Sequence, residues 1–194
     1  MAAAADALAH YVELLLLANE ELNLMSRKAA DPDAILEWHL FDALRGLPHL
    51  PQPKPGGLDL LDLGSGGGFP ALPLLLVRRD LRGALVESVG KKCRFLESVV
   101  LATGLTVSVA NARFPDSFAM KKGSIDVLTT RAVAQAGRLV KTALPLFRPG
   151  GRALLWTTEP LFEKARQESG IHRAAFHSTP GSEARGVAVF ECST

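Results

Sequence analysis

The sequence predicts an α/β fold: a mostly parallel seven-stranded sheet flanked by helices, with an N-terminal helical extension. Three observations lead there. Strand-like apolar runs alternate with helix-like ones from residue 58 onward. A turn with four glycines in five positions, 64–68, follows the first of those runs. A proline- and glycine-rich stretch, 46–57, separates the alternation from two helical segments upstream. Strand, helix, strand repetition at this spacing implies parallel pairing through right-handed crossovers.

Residues 2–23 read as an amphipathic helix, because Leu8, Tyr11, Val12, Leu15 and Leu22 recur near the helical period while Glu20 and Glu21 stand apart. Asp31-Pro32 supplies an N-cap and a proline at the first helical position, opening a second helix through Leu44. "GLPHLPQPKPGG" (46–57) carries four prolines and three glycines and reads as a linker. It divides the chain into an extension, 1–50, and a ligand-binding domain, 57–194, expected to pack as one unit. Strands are predicted at 58–63, 83–87, 105–110, 125–130 and 152–157, and helices at 70–79, 91–102 and 132–147. "LFRPGGRALLW" reads as a helix exit, a Pro-Gly-Gly turn and a buried strand. Apolar segments at 171–176 and 187–190, around "STPGSEARG", predict a terminal hairpin and complete the seven strands.

Composition agrees with one globular unit. The chain has 194 residues, 47% apolar and 22% charged, enough to bury a sizeable core. Its start lacks the basic segment and cleavage site of a signal peptide, and no apolar run reaches the roughly 20 residues that span a bilayer. A cytoplasmic protein without a membrane partner is the expectation. Cys93 and Cys192 have no zinc or redox spacing, so reduced thiols are expected. Histidines and carboxylates likewise show no metal-ligand spacing. Residues 78–152 carry fourteen Lys+Arg against five Asp+Glu, whereas the remainder carries eight against fifteen. Such a basic middle either marks a face for a polyanion or is spread over solvated helix surfaces.

The glycine turn separates the nucleotide-binding alternatives by register. A phosphate-cradling P-loop needs a Gly-Lys-Ser/Thr ending, and no lysine follows here. A dinucleotide fingerprint needs its third glycine at position 69, which is Phe69. What remains is D-x-G-x-G-x-G, Asp62 to Gly68, which resembles the first motif of S-adenosylmethionine-dependent methyltransferases with a Rossmann-like fold. An acidic Asp62 at the strand end suits the cationic groups of that cofactor, and backbone amides at a helix N-terminus suit its carboxylate. Gly64, Gly66 and Gly68 leave room for its amino acid end. Glu87 ends the next strand, at the spacing expected of a carboxylate gripping ribose hydroxyls. The plainer alternative is a tight turn with Glu87 as an exposed strand-end charge.

Four segments in order, "NLMSRKAADPDAILEWHLFDAL", "DLGSGGGFPALPL", "VESVGKKCRFLESV" and "VLTTRAVA", carry a narrower likeness. Together they resemble the RsmG (glucose-inhibited division protein B) family of bacterial 16S ribosomal RNA guanine-N(7) methyltransferases. The resemblance covers most of residues 14–155. It implies S-adenosylmethionine as cofactor, and 16S ribosomal RNA, within the small subunit or free, as partner of a monomer. It places Gly64 and Phe69 against the cofactor, Ala112 and Arg113 against the adenine, and Arg131 at the close of the fourth strand. Three departures stand out. Asn111-Ala112-Arg113 replaces the usual Arg-Ala-Glu, Thr130 replaces a serine, and the chain after Trp156 lacks the usual lysine-glycine continuation.

Guanine N7 offers an in-plane lone pair and no proton to remove, so no general base is required. Collinear positioning supplies the rate, roughly 7–11 kcal/mol when geometry is good. Arg131 is the candidate catalytic residue, acting by positioning. An arginine holding guanine bidentately at O6 and N7 would block the nucleophile, so Arg131 must hold a phosphate or O6 alone. Its other reading is a strand-end anchor paired with Asp42. The resemblance implies that a polar cluster of Asn23, Arg27, His39 and Asp42 covers the cofactor edge; the plainer reading is helix capping and interhelical hydrogen bonds. Arg27, His39, Lys91, Lys92 and Arg94 are the candidate RNA contacts, with Arg78, Arg79, Arg82, Lys121 and Lys122 extending a phosphate track. Two other functions remain open on the residues: a small-molecule methyltransferase, and an RNA- or protein-binding relic without catalysis.

Overall fold

The computed structural model describes residues 2–25, 31–133 and 135–192. Its strands are β1 (Leu58–Leu63), β2 (Leu81–Glu87), β3 (Val107–Asn111), β4 (Ile125–Arg131), β5 (Phe147–Thr158), β6 (Ala174–Thr179) and β7 (Ser182–Cys192). They form one sheet in the order β3-β2-β1-β4-β5-β7-β6. The first five run parallel, while β7 is antiparallel to both β5 and β6. The expected mostly parallel sheet and terminal hairpin are therefore both present.

Parallel strands covered on both faces need apolar side chains on both. This is why "LDLLDL" reads as a nearly continuous apolar run. Leu58 and Leu60 enter one cluster with Tyr11, Leu15, Ile35, Leu72 and Leu75. Leu61 and Leu63 enter the other with Val86, Val140, Phe162 and Phe190. The first cluster runs without a break from the N-terminal helices into the sheet. Among those helices are α1 (Ala2–Leu22) and a continuous helical run from Pro32 to Leu44. Asp31 caps that run as its sequence suggests, accepting the Ala34 N–H at 3.1 Å. Its middle, Leu36–Phe41, is π-helical between α2 (Pro32–Ile35) and α3 (Asp42–Leu44), which the apolar pattern did not signal.

The remaining helices are α4 (Ala71–Val77), α5 (Gly90–Thr103), α6 (Ala136–Ala143) and α7 (Glu159–Ser169). Two differ from expectation. The helix predicted from 132 begins only at Ala136, because Ala132 (φ 55°) and Gln135 (φ 61°) are left-handed. Helix α7 was not predicted; its buried stripe is only Phe162, Ala165 and Ser169, too narrow to read as an amphipathic period.

Strand order reverses between β1 and β4, the switch point where open α/β sheets bind ligands at their carboxyl ends. The glycine turn follows β1 at that point. Arg131 closes β4 beside it, and Glu87 closes β2 on the other side.

Candidate active site

The glycine turn has two sides with different duties. On one side it is packed solid. A Cβ on Gly68 (φ 100°) would lie 2.4 Å from Leu72 Cδ1 and 3.0 Å from the Tyr11 hydroxyl, and one on Gly67 would lie 3.4 Å from Leu15. The Tyr11 hydroxyl donates to the Gly67 carbonyl at 2.6 Å, so α1 grips the turn directly. The other side is open at Gly66 (φ 57°), which has only the Gly64 carbonyl near its missing Cβ, whereas a Cβ on Gly64 (φ 77°) would press on Val133 Cγ2 at 3.1 Å. The absent Cβ of Gly68 thus makes room for Leu72 and Tyr11 rather than for a ligand.

Phe69 is packed among protein side chains. It is 5% exposed, and its ring meets Tyr11 at 5.3 Å and His39 at 5.4 Å. The Arg131 guanidinium lies over the ring, 5.4 Å from its centre. Phe69 is the point where α1, the π-helical turn and β4 converge, not an open wall of a cleft. Pro70 precedes α4 as its N-cap rather than starting it.

The carboxylates have distinct surroundings. Glu87 is buried, and both of its oxygens accept backbone N–H groups, Gly66 at 2.8 Å and Val89 at 2.8 Å. It ties the glycine turn to the start of α5, and only its remaining lone pairs are available to a ligand. Asp62 lies beneath the turn, 1% exposed, with Oδ1 accepting from the Thr129 hydroxyl at 2.6 Å. Its Oδ2 has no partner among the described residues. Burial pushes this carboxyl up to about 6, against lowering by Ser65, Thr129 and Arg131. A buried, unpaired carboxylate oxygen is costly and accepts a cationic group readily.

A cavity of about 140 Å³ opens above the turn, lined by Gly64, Val86, Ala112, Arg113, Phe114 and Val133, among others. The structure therefore brings Gly64, Ala112 and Arg113 together as the sequence suggested. Arg113 itself is exposed, and its N–H is held by the Ser117 hydroxyl at 2.9 Å. Across Val133 lies a second cavity of about 1430 Å³ at the carboxyl ends of β4 and β5. Trp38, His39, Asp42, Arg131, Trp156 and Arg185 line it with others.

Arg131 has the Asp42 partner of the anchor reading and also lines the larger cavity. One nitrogen, Nη2, lies 2.7 Å from His39 Nδ1, and Nη1 lies 3.8 Å from Asp42 Oδ2. A guanidinium only donates, so His39 Nδ1 must accept and its proton must sit on Nε2. Burial and then the charge of Arg131 lower the His39 pKa to about 4, consistent with this neutral form.

The phosphate track does not survive as a continuous feature. Arg78, Arg79, Arg82, Lys121 and Lys122 lie at the amino ends of the parallel strands, opposite the cavities. There Arg78 pairs with Asp80 at 2.7 Å, and Arg82 with Asp59 at 2.8 Å. Lys91, Lys92 and Arg94 do sit on the cavity side, in the first turns of α5. Lys91, however, donates to the Leu22 carbonyl at 2.6 Å, where it caps α1. Arg94 is exposed and Lys92 half-buried. Arg27 lies outside the described residues.

Sequence reading missed several contributors. Tyr11, the chain's single tyrosine, was placed only on a packing stripe. Trp38 and Arg185, whose guanidinium lies 5.3 Å over the indole ring, come from segments 147 residues apart. Trp156 fastens the helical run to the sheet by donating to the Asp42 carbonyl at 2.7 Å.

The model of the GidB family, described as rRNA small subunit methyltransferase G, matches residues 4–178. The chain belongs to this family. Its relatives in the GidB family include "Ribosomal RNA small subunit methyltransferase G" of Sorangium cellulosum, 37% identical over 177 residues, covering 89% of this chain and 73% of that one. The protein of the same name from Alkalilimnicola ehrlichii is 40% identical over 153 residues, 78% of this chain and 65% of that one. Against two others, from Frankia alni and Geobacillus kaustophilus, the chain spans 60% and 66% of the relative's length. In fold it is similar to a SAM-dependent methyltransferase from Aquifex aeolicus (TM-score 0.65, 16% identity, 85% of this chain and 96% of that one). It is similar also to a T. thermophilus 16S rRNA methyltransferase solved with AdoMet and guanosine (TM-score 0.55, 20% identity, 80% of this chain and 39% of that one).

Proposed function

We propose that the chain is an S-adenosylmethionine-dependent methyltransferase that methylates N7 of a guanosine in 16S ribosomal RNA. The observation that carries this reading is the meeting of two cavities at one wall, Val133, at the switch point of a chain belonging to the GidB family. The smaller would take the cofactor and the larger the acceptor base.

The residues present fit the cofactor. Asp62 Oδ2 is a buried oxygen without a partner, suited to a cationic amino group. The open side of Gly66 admits backbone approach, Gly64 lines the smaller cavity, and Glu87 holds Gly66 in place. Ala112 and Arg113 would border the adenine. Bound there, the cofactor supplies an electrophilic methyl group on a sulfonium.

The protein's task is then orientation and exclusion of water. Guanine N7 needs no deprotonation, and the neutral His39 is accordingly not a base but an acceptor that fixes Arg131. Arg131, pinned by His39 and the Phe69 face, presents its remaining N–H groups to the larger cavity. Lys92 and Arg94, in the first turns of α5, are among the cations on this side of the sheet that would contact phosphate. A cytoplasmic, monomeric protein acting on the small subunit or its RNA completes the proposal.

Dispersal of the basic residues over both ends of the sheet favours one competing reading, a methyltransferase for small molecules. Both are tested by supplying labelled S-adenosylmethionine to protein-free 16S RNA and to small subunits from a deletion strain. Modified guanosine mapped by mass to one position supports RNA methylation. Cofactor binding without label in either RNA substrate rejects it.

A further inference from the structure

The larger cavity contains a carboxyl group, Asp42, that the methyl-transfer chemistry by itself leaves unused. Asp42 lines the cavity with its side chain 21% exposed, and no described residue donates a hydrogen bond to its carboxylate. Burial raises the pKa of its carboxyl above the ordinary value, opposed by the charges of Arg131, Arg45 and Arg185. Its position is fixed from behind. Asp42 follows the π-helical turn Leu36–Phe41, a rare geometry frequent at functional sites, and its carbonyl accepts the Trp156 indole N–H. Arg131 Nη1 stands beside it, 3.8 Å from Oδ2. A donor group and an acceptor group thus face the cavity next to each other.

Guanine presents the complement. Along its Watson–Crick edge it offers an acceptor, O6, then two donors, N1–H and the 2-amino group. We propose that Asp42 and Arg131 read this edge in the larger cavity. Asp42 accepts from N1–H and the 2-amino group, and Arg131 donates one N–H to O6. Trp38, 45% exposed, supplies a flat wall for the purine. Held by that edge, the base keeps N7, on its other edge, unobstructed. An arginine gripping O6 and N7 together would occupy the nucleophile. Adenine is rejected because it turns a lone pair at N1 toward the carboxylate and has no 2-amino group.

This assignment rests on the methyltransferase reading above but is tested without methyl transfer. Both tryptophans of the chain line this cavity, so the two indole N–H signals in an ¹⁵N NMR spectrum report on it. The protein, saturated with S-adenosylhomocysteine, is titrated with guanosine, inosine and adenosine 5′-monophosphates. Inosine differs from guanosine only in lacking the 2-amino group. The wild type should bind the guanosine nucleotide about tenfold or more tighter than the inosine one, because a site built to pair a donor rejects its absence. Asp42→Asn should bring the two affinities within about twofold while keeping cofactor affinity. Equal wild-type affinities, absence of any indole shift with the guanosine nucleotide, or a preference preserved in Asp42→Asn would each overturn the proposal. A guanosine preference without label transfer to RNA would leave this assignment standing and sink the RNA-methylation reading instead.

Discussion

The protonation of Asp62 offers a quantitative test of how the cofactor site is built. Its carboxyl is fully buried, and burial, opposed by the nearby Ser65 and Thr129 hydroxyls, raises it from 3.8 to about 6. A raised pKa means that the folded state holds this proton more tightly than the unfolded chain. The stabilisation is therefore complete below pH 3.8 and is lost as pH rises through about 6. In full the loss is ~3 kcal/mol, of which ~1 kcal/mol falls between pH 5 and pH 7. Asp62→Asn removes the titration and keeps an oxygen for the Thr129 hydroxyl. Its amide also needs an acceptor, a cost independent of pH that cancels in the comparison. Urea denaturation of both ligand-free proteins at pH 5 and pH 7 should show the variant gaining ~1 kcal/mol on the wild type across that interval. S-adenosylmethionine should flatten the wild-type dependence, because its amino group would pair with the ionised carboxylate. A stability difference that stays constant with pH would refute the placement of an uncompensated carboxylate beneath the turn.

Further outcomes follow from the same geometry. Tyr11→Phe removes the hydroxyl that pairs with the Gly67 carbonyl, so it should cost ~1–3 kcal/mol in urea denaturation and weaken cofactor binding by calorimetry. Arg131→Ala should lower methyl transfer to RNA at least about tenfold in a protein with unchanged circular dichroism, through loss of positioning. Lys91→Glu should lower thermal stability by unseating the end of α1, whereas Lys92→Glu with Arg94→Glu should weaken RNA binding and flatten its salt dependence without a change in melting temperature. His39 is neutral when folded, with its pKa lowered to about 4, so its contribution is present above pH 6.5 and lost as pH falls toward 4. His39→Gln should make the acid limb of the stability profile shallower; an unchanged limb would contradict the Arg131–His39 pairing.

The chain's order of elements could be read from local pattern because each signal is local. Asp31-Pro32 marks a helix start through neighbouring atoms alone, and its hydrogen bond to Ala34 spans three residues. Strand β1 is announced by its own apolar run, and the glycine turn by residues that tolerate positive φ. Helix α7 escaped because its stripe is narrow, and the delayed start of α6 because nothing in "RAVAQ" forbids a helix. There the left-handed Ala132 and Gln135 are imposed from outside the segment.

The α/β architecture and the chemical types at the carboxyl ends of β1, β2 and β4 follow from composition and spacing, which the chain carries in linear form. The family follows from the likeness of four segments to known relatives. Tertiary packing placed Leu72 and Tyr11 against Gly68 and left Gly66 without a side-chain neighbour. It also divided the basic residues between the two ends of the sheet, and set Asp42 beside Arg131 across 89 positions of sequence. Side-chain direction depends on which elements pack together, and packing partners such as α1 and the glycine turn are distant in the chain. Spacing can nominate residues for a site; contact between distant segments assigns them their work.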